Sequence, residues 1–484
     1  MKTFQYYSSK CILGFLLLGL MNSCSDFLEE DPQNQVATSN YYTTSQDALS
    51  AVNSIYAYLG SYNAGSTAGV YHSTFWVSMG LASDELLNNQ LGTPQFDQLA
   101  NFSHNAENAA LLEIWQMHYK TIYLANIAIE RIPLIDMDQS LRERYVNEAK
   151  FLRGLLYFNM VRMFGEIPLL ISEDTPLNPE VASIEQIYDQ IVMDLSDAKN
   201  LPDDGEIQEG RATSGAATSL LAKVYLRMQQ YDLASQQALE VINQHPYELW
   251  EDFSNNFSIT SRGQNEAIFS VGFGDGGGAI SFWEVGQFNV RLLPSLLSAE
   301  AGITNAQGWQ YATEDLYAAF DSMDERREAS FLTQYPANDG SILSFDRIWI
   351  DKYWDREAEP NAGDSSQDFP VIRFSDVLLI YAEAQAQLGN LGVANDYLNL
   401  VRQRAGLQEA SAGNMDDFID TLLEERRREF VAEGQRWFDL TRLGRLEEAV
   451  MEAKGVSVDS HHYLFPIPQR ERDINPNLPQ NVGY

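Results

Sequence analysis

"SLLAKVYLRMQQYDLASQQALEVINQHP", residues 219–246, decides the fold. Leu221-Ala222 and Tyr225 lie on one apolar helical stripe, and Tyr231, Ala234 and Ala238 lie on a second. Small residues on both stripes let two antiparallel helices approach closely, and Pro246 ends the second. A helix pair of this kind cannot bury its faces alone. It needs like neighbours stacked against it.

The neighbours are in the chain. "IYAEAQAQLGNLGVANDYLNLVRQRAG", residues 380–406, repeats the spacing through Tyr381-Ala382, Leu391, Ala394, Leu398 and Val401, with glycine in place of the closing proline. Both segments match the tetratricopeptide pattern. The stretches from Ala149 to Phe164 and from Thr421 to Leu440 read as more degenerate helices of the same kind. Nearer the start, "YYTTSQDALSAVNSIYAYL" predicts a helix capped by Ser45, with Ala48, Val52, Ile55 and Leu59 inward. "ALLEIWQMHYKTIYLANIAIERI" predicts another, with Leu112, Trp115, Tyr119, Ile122 and Ile129 on one side. A third, "LRERYVNEAKFLRGLLYFNMVRMFG", is stopped by Gly165 and Pro168.

Strand signals are few and short, the better ones being "EAIFSVGF" and "SFDRIWIDKYW". Residues 251–370 and 60–105 are rich in Gly, Asn, Asp and aromatics and poor in helical periodicity. Long irregular segments inside a compact domain are usually functional. The expected fold class is therefore mainly α: a tetratricopeptide-like helical superhelix with a loop-rich segment carrying a few short strands.

The chain has 484 residues, a net charge of −36, and 45% hydrophobic residues to build a core. So acidic a surface repels phosphate backbones and anionic headgroups, which argues against nucleic acid as a partner and fits neutral or cationic ligands.

Lys2 and Lys10 precede an apolar run from Ile12 to Met21, with no acid before Asp26. That pattern predicts a secretory signal over residues 1–23, too short to span a bilayer, which takes about 20 apolar residues. Cys11 would leave with the signal, so Cys24 would be the only thiol of the mature chain. A buried free cysteine conflicts with the acidic flank "SDFLEED"; an intermolecular disulfide is open; a lipidated first residue fits best. The residues before it, Met21-Asn22-Ser23, keep the small −1 position of a lipoprotein box and depart at −3 and −2. Residues 24–40 would form the lipidated tether.

Near the C-terminus the chain reads "EERRREFVAEGQRWFDLTRLG" and "LFPIPQRERDINPNLPQNVGY". With "EAKFLRGLLYFNMVRMFGEIPLL", "IRFSDVLLIYAEAQAQLGN" and "CSDFLEEDPQ", these closely resemble the SusD/RagB family of nutrient-binding lipoproteins of Bacteroidetes outer membranes. The resemblance implies a SusD-like N-terminal region over 41–250 and a RagB/SusD C-terminal region over 251–484. It also implies a surface-exposed, lipid-anchored place on the outer membrane, and partnership with a SusC-like TonB-dependent transporter over which such a protein sits as a hinged lid. The implied activity is capture of an oligosaccharide without catalysis or cofactor. Peptide capture, as in the RagB branch, and a protein-binding tetratricopeptide scaffold are the alternatives.

The same motifs have a plain physical reading. On a helix, Glu424 would pair with Arg428 and Glu429 would repel Glu433. Phe430, Trp437, Phe438 and Leu440 would pack inward, Arg436 would lie on an aromatic face, and the tail from Pro466 to Tyr484 would strap the surface.

Enzyme signatures are thin. Gly272, Gly274 and Gly277 give a formal G-x-G-x-x-G, but "GAISFWEVGQFN" follows where a dinucleotide site needs a helix. The histidines, at 72, 104, 118, 245, 461 and 462, form no metal motif; His461 and His462, read as strand neighbours, would point to opposite faces. No local pattern marks a glycosidase carboxylate pair.

Sugars offer flat C–H faces edged by hydroxyls, and ask for exposed rings with Asp, Asn, Gln or Arg beside them. "LASDELLNNQLGTPQFDQL" supplies Asp84, Asn88, Asn89, Gln90 and Phe96. "GGGAISFWEVGQFN" and "NAQGWQYATEDL" supply Phe282, Trp283, Gln287, Asn305, Trp309 and Tyr311. Trp283 and Trp309 are the foremost ligand-binding candidates, whereas Trp76 reads as core.

Overall fold

The computed structural model describes residues 42–60, 69–203, 205–208, 210–273, 286–303, 306–354, 356 and 367–484. Cys24, Phe282, Trp283 and Asn305 lie outside them, as do the signal and the tether.

The first half runs α1 (Ser45–Gly60), α2 (Thr74–Leu81), β1 (Leu86–Asn88), α3 (Pro94–Ala100), α4 (Ala109–Arg131), α5 (Gln139–Phe164), β2 (Ile167–Pro168), β3 (Val181–Ala182), α6 (Ile184–Ala198), α7 (Ser214–Arg227) and α8 (Tyr231–Gln244). The second half runs β4 (Ala267–Val271), α9 (Phe288–Leu292), β5 (Gln310–Ala312), β6 (Phe331–Pro336), β7 (Ile342–Ile350), β8 (Phe369–Arg373), α10 (Phe374–Gln387), α11 (Leu391–Arg404), α12 (Met415–Glu429), α13 (Arg436–Leu443) and α14 (Leu446–Lys454), with short helical turns between. None of the described helices is long and apolar enough to cross a membrane.

The superhelix forms as expected. Packing passes from α4 to α5, α6, α7 and α8, then jumps to α10 and α11. Ala216, Ala217, Ala222, Ala234, Ala238, Ala382 and Ala394 are fully buried where these helices meet. A larger side chain at any of them would push two backbones apart. Helix α1 is capped one residue earlier than expected. Thr44 Oγ1 accepts from Asp47 N–H at 3.2 Å while Asp47 Oδ2 accepts from Thr44 N–H at 2.8 Å, a reciprocal box that Ser45 does not make. The buried face of α4 is broader than one stripe, because α1, α2 and α5 all pack on it. Two further helices, α2 and α3, stand in the 60–105 stretch that reads as irregular.

Among the described residues the strands form three small antiparallel sheets: β1-β5-β7-β6, β2-β3 and β4-β8. β4, which precedes Gly272, pairs antiparallel with β8 and so is not a strand of a parallel βαβ unit.

A charged layer ties α12 to β8 and to the segments around them. Arg326 bonds Asp324, Glu425 and Glu429, and Arg373 bonds Glu266, Glu429 and Glu433, all with side chains at most 2% exposed. Lys352 Nζ meets Glu433 Oε1 at 2.5 Å. The expected repulsion between Glu429 and Glu433 is therefore absent: α12 ends at Glu429, and Arg373 lies between the two carboxylates. Arg428 reaches Glu425 and not Glu424. Arg436 lies on no ring of the described residues; it grips Asp84. Trp437, Phe438, Phe430 and Leu440 are buried as read, with Trp437 stacked on Phe465 at 4.6 Å. Trp76 is fully buried, and Gly434 turns beside it with φ of +68°, where a Cβ would press on its backbone.

The C-terminal strap is a structural tie. Phe465 N–H donates to Met163 O at 2.7 Å, and Asn481 Nδ2 donates to Phe164 O at 3.0 Å. His461 and His462 sit in a 3-10 turn, not a strand, so their rings come together at 3.9 Å and join Asp459 in one cluster. Within it, His462 Nδ1 accepts from Asp459 N–H at 2.9 Å.

Candidate functional site

Two candidate segments far apart in sequence become adjacent strands. Leu87 faces Tyr311 and Asn88 faces Gln310 across β1 and β5, and Asn89 N–H continues the ladder to Trp309 O at 2.7 Å. On the other side of β5, Ala312 faces Ile348 of β7. Residues two apart on a strand share a face. One sheet face therefore carries Asn89, Trp309, Tyr311, Arg347 and Trp349.

Each side chain on this face is fixed by another. Asn89 Nδ2 donates to Gly308 O at 2.8 Å, and its Oδ1 accepts from Arg347 Nη1. The Arg347 guanidinium lies 4.8 Å from the Tyr311 ring centroid, and Tyr311 meets Trp349 at 5.9 Å. Trp309 is half-buried; its Nε1–H donates to Gln307 Oε1 at 2.8 Å, and its inner face rests on Arg291 at 4.4 Å. Arg291 in turn lies 5.3 Å from the Phe96 ring and donates to Ser73 Oγ at 3.0 Å. Gly308 holds φ of +62°, and a Cβ there would fall 2.7 Å from the Trp349 ring. Only glycine lets the chain pass this close.

The same face carries a small apolar cluster of Leu293, Leu297, Ile303, Ala306, Leu332 and Trp349, against which Tyr311, Tyr335, Phe345 and Trp354 are half-buried. Trp309 and Tyr311 are half-buried at its margin, whereas Trp349 is 5% exposed.

Two candidate ligand contacts are corrected. Asp84 is 1% exposed and bonded by Arg436 through both carboxylate oxygens at 2.9 Å, with Arg427 Nε at 3.2 Å. Burial works against its ionisation, but those guanidiniums hold its carboxyl well below the usual range. It anchors α2 and β1 to α12 and α13 and cannot reach a ligand. Phe96 is 5% exposed and forms the base of the Phe96–Arg291–Trp309 stack. Asn88 is half-buried on the opposite sheet face, with Nδ2 on Asp97 Oδ1 at 2.7 Å.

Sequence reasoning did not single out Arg291, Arg347 or Trp349. For the last two a signal existed: Phe345, Arg347 and Trp349 alternate in "SFDRIWIDKYW" and so share a face once that segment is a strand.

Comparisons with known proteins agree with this architecture. A family model described as "SusD family" matches residues 333–484, and one described as "Starch-binding associating with outer membrane" matches residues 26–226. The chain is 29% identical to "SusD-like protein P2" of Formosa agariphila over 97% of its own length and 98% of the relative's. It is 32% identical to "Starch-binding protein SusD" of Bacteroides thetaiotaomicron over 24% of the chain. A solved structure described as "Laminarin binding SusD-like protein" superposes with a TM-score of 0.76 at 25% identity, covering 92% of this chain and 100% of that one. Two family models in order, end-to-end likeness to SusD-like relatives and the shared helical superhelix place this chain in the SusD/RagB family of Bacteroidetes.

Proposed function

We propose that the protein is a glycan-binding lipoprotein of the outer-membrane surface, which captures an oligosaccharide on the Asn89–Trp309–Tyr311–Arg347 face and passes it to a SusC-like TonB-dependent transporter. The observation that carries this reading is the convergence of Asn89, Trp309 and Tyr311 on one braced sheet face. Half-buried rings supply flat contact area to sugar C–H faces at low entropic cost, and an amide and a guanidinium held at their edges supply hydrogen bonds. Phe282, Trp283 and Asn305 are proposed as further ligand contacts.

The relatives support the ligand class, since one is named for starch and one structure for laminarin. They also support the place, since the N-terminal family is described by its association with the outer membrane. Cys24 is the proposed lipid attachment. The reading is one of binding without bond cleavage, in keeping with relatives that are named for what they bind.

The test is affinity electrophoresis of the soluble mature chain through gels containing single polysaccharides, with released sugars assayed in parallel. Retardation by at least one polysaccharide without product is expected. Free migration in every gel, or release of sugar, would remove the reading.

A further inference from the structure

We propose that the glycan taken by this face carries acidic groups, carboxylate or sulfate ester, and that Arg347 is the residue that selects them; this rests on the glycan-binding reading above. The starting point is where the chain spends its arginines. With 32 Lys plus Arg against 68 Asp plus Glu, acid is in excess, and many of the buried arginines pair with it. Arg326, Arg373, Arg404, Arg426, Arg427, Arg436 and Arg442 are all bound to carboxylates.

Arg347 stands outside that set, as does the buried Arg162; Arg162 is closed off by the Phe158 and Phe438 rings at 3.9 and 3.8 Å, whereas Arg347 stands on the site face. It is half-buried there, its hydrogen-bond partner is the neutral Asn89 Oδ1, its ring partner is Tyr311, and no carboxylate of the described residues lies within ion-pair distance of it. A carboxylate does stand at this end of the sheet, Asp97, but its Oδ1 is taken by Asn88 Nδ2 at 2.7 Å.

A guanidinium has five N–H donors in a planar fork, and Asn89 occupies one arm. The ring beneath fixes its plane, so the remaining donors are aimed before the ligand arrives. That fork matches the two oxygens of a carboxylate or a sulfate ester and forms charge-assisted bonds about twice as strong as neutral ones. Sugar hydroxyls alone would be served as well by a second amide, without the cost of holding a half-buried cation with no counter-charge. The net negative charge of the chain does not forbid an acidic ligand, because at physiological ionic strength charges beyond about 8 Å are largely screened. Selection is then local.

The measurement is titration of the soluble mature chain with polygalacturonate, a sulfated galactan, pullulan and laminarin. At least one acidic polymer is expected to bind about tenfold more tightly than either neutral one, and which of the two does so separates carboxylate from sulfate. Arg347→Met, which keeps most of the stem, is expected to collapse that ratio to within about threefold, Arg347→Gln to do the same, and Arg347→Lys to restore part of it. Equal affinity for neutral and acidic polymers in the wild type, or loss of both classes in proportion in folded R347M and R347Q, would overturn the selection and leave glycan binding standing. Binding to none of the four would overturn both.

Discussion

Arg291 lies between two rings, 4.4 Å from the Trp309 centroid and 5.3 Å from that of Phe96. A cation sandwiched in this way stiffens the outer indole without burying it. Trp309→Ala is expected to weaken glycan binding by about tenfold or more, ~1.4 kcal/mol or above, with the thermal midpoint almost unchanged because the ring's outer face packs on nothing in the described core. Tyr311→Ala should weaken binding similarly but lower the midpoint as well, since Tyr311 also packs on Trp349 and Arg347. Calorimetric titration beside a melting curve checks both. Wild-type affinity in W309A would move the site elsewhere.

Gly308 gives an independent handle on the same surface. Its φ of +62° and the 2.7 Å approach of a built Cβ to Trp349 mean that Gly308→Ala must shift the strand or the ring. The Gly308 carbonyl is the acceptor for Asn89 Nδ2, so a shift there disorganises the amide as well. G308A is expected to remain folded, to lose about 1–3 kcal/mol of stability, and to lose glycan affinity although no ligand-contacting side chain has changed. Unaltered affinity would show that the β1–β5 junction does not shape the site.

The superhelix was legible because helix pairs announce themselves locally. Ala222, Ala234 and Ala238 recur at spacings that only close helix packing requires, and all are buried where expected. The site was half legible. Asn89, Trp309 and Tyr311 carry the right chemistry in plain sight, but β1 and β5 are three residues each, too short to show alternation, so nothing local joins them. Asp84 misled for a related reason. A carboxylate in a polar loop looks available to ligand, and the arginines that claim it, Arg427 and Arg436, belong to elements hundreds of residues away. Arg347 carries the converse lesson, because the absence of an ion pair cannot be read from one dimension.

Glu429 accepts from Arg326, Arg373 and Arg404, and its side chain is fully buried. Those guanidiniums hold its carboxyl well below the usual range against the cost of burial. Glu429→Gln keeps the shape and removes the charge, leaving the cations around it short of compensation. Truncating one partner of a buried ion pair typically costs about 3–5 kcal/mol. E429Q is expected to lower the denaturant midpoint strongly while leaving far-ultraviolet helicity intact at low denaturant. A variant within about 0.5 kcal/mol of wild type would show that the charged layer is not what joins α12 to β8.

Cys24 can be tested apart from the ligand. Cys24→Ser is expected to abolish incorporation of labelled palmitate and to move the protein from the membrane to the soluble fraction, because acyl chains contribute ~0.8 kcal/mol per buried methylene. Label incorporated by C24S would place the anchor at another residue.

Glu85 gives a pH signature opposite in sign to that of its neighbour. Its side chain is fully buried beside Asp84, and both carboxylate oxygens lack a hydrogen-bond partner. Burial first, and then the Asp84 charge, push its carboxyl up to about 8, against the pull of Arg436, Arg427 and Lys352. An unfolded glutamate titrates near ~4.3, so between that value and about 8 the native state holds a proton that the unfolded state has released. Stability from this group therefore falls as pH rises through that window. Asp84 and Asp376, both depressed by their cationic partners, act the other way: their contribution is present above about pH 4 and is lost as pH falls below it. Glu85→Gln removes the first effect and keeps the second. The melting temperature of E85Q should match wild type near pH 4.5, exceed it increasingly up to pH 8, and share its acid-side decline. A difference that is constant with pH would mean that Glu85 is ionised in the native protein.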